Sequence, residues 1–271
     1  MAWWQALILV VLTLCLYSST LVNLVLQWGK DPNFSHGFFV IPFSLLVAWR
    51  DRRRYRAIAC EFSSWGLLIL ILALCMLVAG SLGAEFFLSR FSLLILLAGL
   101  IVLCFGWNHL RAALFPLGFL VMMIPIPAIV FNPATLQLQL LASKVAAATL
   151  PVFGVPVFHE GNVINLPAMS LEVAQACSGV HSLFALITLA IIYGYLISSA
   201  MWIRVILVVA AVPIAIMANS LRIIGTGLVV HYWNPSRASG FFHEFSGGLI
   251  FLICLLMLVL LQQTVARRTW R

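Results

Sequence analysis

Charge is what this sequence most lacks. Asp, Glu, Lys and Arg make up 8% of its 271 residues, while 64% are hydrophobic. A soluble domain carries about 25% charged and about 45–50% apolar residues, so an ordinary soluble globular protein is excluded. Missing too is any Cys-x-x-Cys pair. The six cysteines (Cys15, Cys60, Cys75, Cys104, Cys177 and Cys254) follow no regular spacing, and most fall inside apolar runs. That pattern speaks against a disulfide framework and against a zinc site. Neither a Gly-x-Ser-x-Gly elbow nor a His-Glu-x-x-His helix occurs; Glu160 follows His159 without a second histidine at the needed spacing. This removes the signatures of a serine hydrolase and of a metalloprotease. No metal and no organic cofactor is expected. With no internal repeat or low-complexity linker, residues 1–271 read as one domain.

What is present is hydrophobic length. A helix needs about 20 apolar residues to cross about 30 Å of hydrocarbon. Runs at residues 3–26, 38–49, 65–82, 91–107, 112–130, 182–199, 205–221 and 245–262 meet or approach that length. They predict an all-α polytopic membrane protein of about eight transmembrane helices. The first run has no basic leader and is read as an uncleaved helix. The second is short for a crossing. The fifth carries Pro116, Pro125 and Pro127, so its outer end is expected to be kinked or unwound.

Between the fifth and sixth runs the pattern changes. Residues 132–150 mix Gln137, Gln139, Ser143 and Lys144 with Leu and Ala, which predicts an amphipathic interfacial helix at the outer face. Residues 151–167 are rich in Pro, Gly and β-branched residues, which predicts extended chain or a small hairpin. A polar connector is expected over residues 222–244. The net charge of +8 does not point to nucleic acid, because the bases punctuate apolar runs instead of forming a stripe. With the N-terminus inside, the inner loops hold Arg50, Arg52, Arg53, Arg54, Arg56, Arg111, Arg204, Arg267, Arg268 and Arg271. The outer connectors hold the other five bases: Lys30, Arg90, Lys144, Arg222 and Arg237. This satisfies the positive-inside rule and puts both termini in the cytoplasm.

Reactive side chains concentrate in Leu171-Glu-Val-Ala-Gln-Ala-Cys177-Ser-Gly-Val-His181-Ser182. Cys177 stands where an irregular segment is expected to become a helix, a position that favours a thiolate. Glu172 and Ser178 flank it, and His181 follows one helical turn later. Parity places Arg222, at the end of the seventh run, and His243, just before the eighth, at the same outer face as Cys177. Asn219 lies three residues before Arg222, on the same helix face, and Glu244 adjoins His243. A thiol, a histidine and an arginine at one face suit acyl transfer. The thiolate attacks a carbonyl, the imidazole serves as acid or base, and the guanidinium stabilises the oxyanion or lowers the thiol pKa. Spacing alone leaves His181 and His243 both open as the base. His36, His109, His159 and His231 are read as ordinary hydrogen-bonded histidines.

Several segments in order resemble the exosortase/archaeosortase family of polytopic membrane enzymes. They are Asp31-Pro-Asn-Phe-Ser-His-Gly37, Ile124-Pro-Ile-Pro127, Gly154-Val-Pro-Val-Phe-His-Glu-Gly-Asn-Val-Ile-Asn-Leu-Pro167, Leu171-Glu-Val-Ala-Gln-Ala-Cys-Ser-Gly179, Ala218-Asn-Ser-Leu-Arg222 and His243-Glu-Phe-Ser-Gly247. The resemblance implies that Cys177, Arg222 and His243 are catalytic. Many family members carry Arg or Asn where this chain has His181, which leaves His181 a modulating role. It also implies a substrate class: secreted proteins ending in a Pro-Glu-Pro-like motif, a hydrophobic helix and a basic tail, cleaved through a thioacyl enzyme. The setting implied is a bacterial inner membrane with a periplasm-facing site. Two rival readings remain: a transporter or flippase, and a non-catalytic membrane subunit of an exopolysaccharide-export system. A transporter would line a midplane path with polar residues, whereas here they gather at one face.

Overall fold

The computed structural model describes residues 3–173, 179–197, 200–233 and 241–269, with the backbone alone at residues 32, 179–182, 241–246 and 266–269. It is mostly helical, as an apolar chain must be where every backbone N–H and C=O has to be bonded within the protein. Among the described residues, five helical stretches are long and apolar enough to cross a membrane: Trp65–Leu82, Phe86–Phe105, Ala128–Phe153, Met201–Tyr232 and Gly247–Val265. The pair Trp3–Leu16 and Ser18–Lys30, bent by 66°, makes a sixth if taken as one span. The chain is therefore a multi-pass membrane protein, with five or six candidate spans where the apolar runs suggested about eight. The difference lies in two shorter apolar helices, Gly37–Arg50 and Leu183–Ile197, and in the run at 112–130, which does not form a single helix. By its contacts the chain divides into two compact units, Met1–Pro127 and Ala128–Arg271.

The first unit holds α1 (Trp3–Leu16), α2 (Ser18–Lys30), α3 (Gly37–Arg50), α4 (Arg52–Ala57), α5 (Trp65–Leu82), α6 (Phe86–Phe105) and α7 (Trp107–Phe119). The run expected as one helix at 3–26 breaks at Tyr17, which is fully buried with its hydroxyl 2.9 Å from Ser92 Oγ. Helix α5 matches the expected run residue for residue. It packs along α6 through glycines: Gly66 meets the Leu103 backbone, Gly80 meets Ser89, and Gly99 meets Leu70. Such small residues permit close backbone approach where lipid supplies no hydrophobic drive for helices to associate.

Helix α7 contains Pro116 and unwinds through a 3₁₀ turn at Leu120–Met123 into Ile124-Pro-Ile-Pro127. The expected proline disruption is thus present, and it divides the fifth run. Two carbonyls of the unwound stretch find side-chain donors: His36 Nε2 lies 3.1 Å from the Met122 oxygen, and Trp28 Nε1 donates to the Met123 oxygen at 3.0 Å. Trp28 and His36 therefore tie the chain around Asp31–Gly37 to the 3₁₀ turn that leads into Ile124-Pro-Ile-Pro127, which accounts for His36 without any catalytic role.

The second unit holds α8 (Ala128–Thr149), strands β1 (Phe158–Glu160), β2 (Val163–Asn165) and β3 (Ser170–Glu172), then α9 (Gly179–Ile197), α10 (Met201–Tyr232) and α11 (Phe241–Thr269). The predicted hairpin is β1–β2, antiparallel, turning at Gly161 with a φ of +62°. Strand β3 extends it into a three-stranded antiparallel sheet, pairing Leu171 with Ile164. The helix expected over 132–150 forms as α8, and its length and apolarity place it among the candidate spans. Its polar residues have a partner inside the unit. Gln139 and Ser143 are buried, and Ser143 Oγ lies 3.0 Å from both His159 Nε2 and the Gly161 oxygen. The polar stripe on α8 thus ties the helix to the sheet.

Helix α10 requires a correction. The sequence reading ended it at 221 and began a polar connector at Arg222, but the helix continues to Tyr232. Nothing in that stretch breaks a helix. Gly225 and Gly227 weaken it by only about 1 kcal/mol each, and the first proline beyond is Pro235. Gly227 also has a packing use: a Cβ there would lie 3.0 Å from both Leu150 methyl carbons. At 32 residues the helix is about 48 Å long, well over the hydrocarbon thickness of about 30 Å.

Two cores share α10. Its first part, including Leu207, Ala211 and Ala218, packs with Leu183, Leu186 and Ala190 of α9 and Cys254 and Leu258 of α11. Its last part, through Ile223, Ile224 and Val230, packs with Leu150, Val155 and the sheet residues Ile164 and Leu171. Asn219 and Arg222 stand at the junction of the two.

Candidate active site

Cys177 and Ser178 lie outside the described residues. Their neighbours are described on both sides: β3 ends at Glu172, and the described part of α9 begins at Gly179. His181 sits in the first turn of that part, with its side chain outside the described set. Glu172 is exposed on β3 between buried Leu171 and Val173. The alternation of the strand turns it away from the core that its two neighbours enter.

Arg222 is half-buried within α10. Eighteen residues separate it from Arg204 on the same helix, about 27 Å along the axis. That is close to the thickness of a hydrocarbon layer, about 30 Å. The last turns of α10 then extend about 15 Å further, carrying the residues on which the sheet packs.

The structure brings Arg222 against α11. A Cβ built on Gly247 would lie 3.6 Å from both Arg222 Cζ and one terminal nitrogen, and 3.8 Å from the other. The guanidinium is thus laid flat against a helix position that has no side chain. Position 243 precedes Gly247 by four residues within α11, so the two positions share one helix face. The side chains of His243 and Glu244 lie outside the described set. Sequence reading did not single out Gly247. The available signal was its spacing, one helical turn after His243.

Asn219 is 8% exposed and lines a small cavity with Leu138 of α8, Leu183 of α9, and Ala215 and Ile216 of α10. Nearby, the Phe131 and Phe184 rings stack at 6.0 Å and hold the second turn of α9 against α8. Asn219 precedes Arg222 by three residues, so an amide and a guanidinium succeed each other along one helix face. Three of the four histidines read as ordinary have hydrogen-bond partners for their rings: His36 the Met122 backbone oxygen at 3.1 Å, His109 the Phe105 backbone oxygen at 2.9 Å, and His159 the Ser143 hydroxyl at 3.0 Å. His231 packs edge-on against Tyr232. Among the described residues no group of three or more His, Cys, Asp or Glu is placed to hold a metal ion.

None of the curated proteins and none of the solved structures matches the chain. A family profile does: that of the transmembrane exosortases, over residues 28–260. The matched stretch takes in residues of both units and the positions of Cys177, Asn219, Arg222, His243 and Gly247. With most of its length matched in this way, the chain belongs to the transmembrane exosortase family.

Proposed function

We propose that the chain is a membrane-embedded cysteine protease or transpeptidase that cleaves the C-terminal sorting signal of secreted proteins at the periplasmic face of the inner membrane. Both termini are cytoplasmic in this reading, and the substrate ends in a Pro-Glu-Pro-like motif, a hydrophobic helix and a basic tail. The observation that carries it is the seat of the Arg222 guanidinium on Gly247, one turn along α11 from His243. An arginine at a lipid edge ordinarily extends toward headgroups. This one lies instead against a helix of the bundle, on the face that bears the histidine position.

The chemistry follows from the three groups. The Cys177 thiolate, favoured by the start of α9, adds to the scissile carbonyl carbon and forms a C–S bond. The resulting oxyanion is stabilised by Arg222. As the tetrahedral species collapses, the C–N bond breaks and the leaving amine takes a proton from the His243 imidazolium. The thioester is then opened by water, giving proteolysis, or by an amine, giving transpeptidation; His243 accepts the proton of the incoming nucleophile. His181, Ser178, Glu172 and Glu244 play supporting roles in this scheme. Cys177→Ala and Cys177→Ser are expected to abolish trimming of a tagged substrate. Normal trimming by either variant would remove the nucleophile assignment. His243→Ala should be inactive and His181→Ala should retain activity, and the reverse pattern would exchange the two histidines.

A further inference from the structure

We propose that the arginine-rich end of the first unit, built from α4 and the start of α7, is a binding surface for an anionic phospholipid, its phosphate held by arginines of both helices. The surface depends on the chain's place in a membrane and not on the chemistry proposed for Cys177.

Between Trp49 and Trp65 the chain carries Arg50, Arg52, Arg53, Arg54 and Arg56 against two carboxylates, Asp51 and Glu61. Helix α4 lies against α7, which adds Arg111. Tyr55 seats α4, for its hydroxyl is buried, while Arg53, Arg54, Arg56 and Arg111 are exposed. Arg52 is held back: its guanidinium carbon lies 4.0 Å from the centre of the Trp49 ring, and one terminal nitrogen donates to the Trp49 oxygen at 2.9 Å. Six arginines against two carboxylates give this end a positive field that attracts an anion.

Depth decides the kind of anion. The Glu61 N–H donates to the Phe105 oxygen at 3.2 Å, which ties the approach to α5 to the corner between α6 and α7. Trp49, Trp65 and Trp107, all exposed, therefore stand at the same end as the arginines. Tryptophans so placed mark the headgroup level of a bilayer. On α7, Trp107, Arg111 and Leu114 follow at helical spacing on one exposed face. Arg111 lies about 6 Å beyond Trp107 along the axis, and Leu114 about 4.5 Å further. An indole, a guanidinium and an apolar side chain in that order match a headgroup, its phosphate and an acyl chain. An acidic protein segment would meet the charge and leave the indoles and Leu114 without an apolar partner, so the chemistry favours a lipid.

The test uses the full-length protein purified in a neutral detergent. Phosphatidylglycerol, phosphatidylcholine, inorganic phosphate or a glutamate-rich peptide is added. Binding is read by native mass spectrometry, with thermal unfolding alongside. Phosphatidylglycerol should be retained roughly tenfold or more over phosphatidylcholine and should raise the unfolding temperature, and both effects should weaken in high salt. Inorganic phosphate should not protect. Arg53→Gln/Arg54→Gln/Arg56→Gln should lose the preference, since each arginine near an anionic surface contributes about fivefold. Arg111→Gln should lower it by about fivefold. Arg267→Gln/Arg268→Gln/Arg271→Gln removes the same charge from the other unit and should leave the preference unchanged. Equal retention of the two lipids, or equal loss in the two triple variants, would overturn the proposal; in the second case net charge alone would explain the binding. Protection by inorganic phosphate equal to that by the lipid would make the ligand a free anion, and tighter binding of the peptide would assign the surface to a protein; either outcome defeats the lipid site. If the α4 triple variant does not fold, as judged by gel filtration in detergent, Arg111→Gln alone decides, and an unchanged preference sinks the proposal.

Discussion

The two parts of α10 are one helix in two settings. From Met201 to Ala218 it is packed by other helices, with Leu207 and Ala211 against α9 and α11. From Ile223 to Tyr232 it shares a core with Ala142 and Ala146 of α8, with Leu150 and Val155 in the turn that follows, and with Ile164 and Leu171 of the small sheet. The first part meets the composition expected in hydrocarbon, where small residues and shape hold helices together. The second is organised like a miniature soluble core, in which strands alternate buried and exposed residues. Asn219 and Arg222 sit where the two meet. A polar group is least costly at that boundary, where the apolar layer ends and a protein wall still shields it from bulk water. The difference teaches why the helix does not stop at Arg222: the sheet and α8 give Ile223, Ile224 and Val230 a second core to enter, and the helix continues to Tyr232.

The largest effect should come from the junction itself. Arg222→Lys keeps the charge but loses the planar fork that lies on Gly247. It should lower turnover by about 10²–10³-fold, as loss of an oxyanion-stabilising group does, with little change in thermal stability. A variant of near wild-type turnover would reduce Arg222 to a packing or topology residue. Next is Gly247→Leu, whose side chain must enter the space occupied by the guanidinium. Displacing a catalytic group by about 1 Å is enough for about a 10²-fold loss. Gly247→Ala should be far milder, because its Cβ at 3.6 Å makes ordinary van der Waals contact. Measured kcat for the pair reads the distance directly; equal losses for Ala and Leu would contradict the geometry.

The smallest effect separates the two settings. Ile164 in the sheet and Leu207 in the helix bundle are both 0% exposed. Ile164→Ala should cost about 2–5 kcal/mol, the full price of a large-to-small change in a water-facing core. Leu207→Ala should cost less, because hydrocarbon surrounds the bundle and the transfer term largely disappears, leaving lost dispersion contacts. Thermal unfolding in detergent, with proteolysis of the sheet as a second probe, ranks the two. Equal costs would show that the end of α10 is no more aqueous than its beginning.

How much of this was legible in the sequence depended on whether local chemistry decided the outcome. Residues 65–82 form α5 as expected because an uninterrupted apolar run between a serine pair and a glycine has one way to fold in lipid. The hairpin was legible from Gly161 and its β-branched flanks. The short strand Ser170–Glu172 was not, since three residues carry too little pattern until β2 supplies a partner. Arg222 was misplaced as the end of a helix because polarity was read as a boundary. In the structure Ile223, Ile224 and Val230 have a second core to enter, and Gly227 serves close packing against Leu150. The two-part first helix was hidden for a related reason, since it divides at Tyr17, whose hydroxyl meets Ser92, far away in sequence. In the site, Cys177, Arg222 and the two candidate histidines His181 and His243 were named from residue type and side of the membrane, and the choice of His243 came from the family resemblance. Gly247 and the Asn219 cavity needed the distance between helices, which no spacing along one chain segment records.

The central claim is that Cys177 forms a covalent acyl bond with a sorting signal. It is tested most directly by trapping that bond: the full-length protein is incubated with a tagged substrate, quenched in acid, and digested for mass spectrometry. A fragment of the sorting signal joined through a hydroxylamine-sensitive thioester to the peptide containing Cys177, and missing in Cys177→Ser, is the predicted result. Substrate cleaved at the normal rate with no adduct on Cys177, or with an adduct on another side chain, would contradict the account.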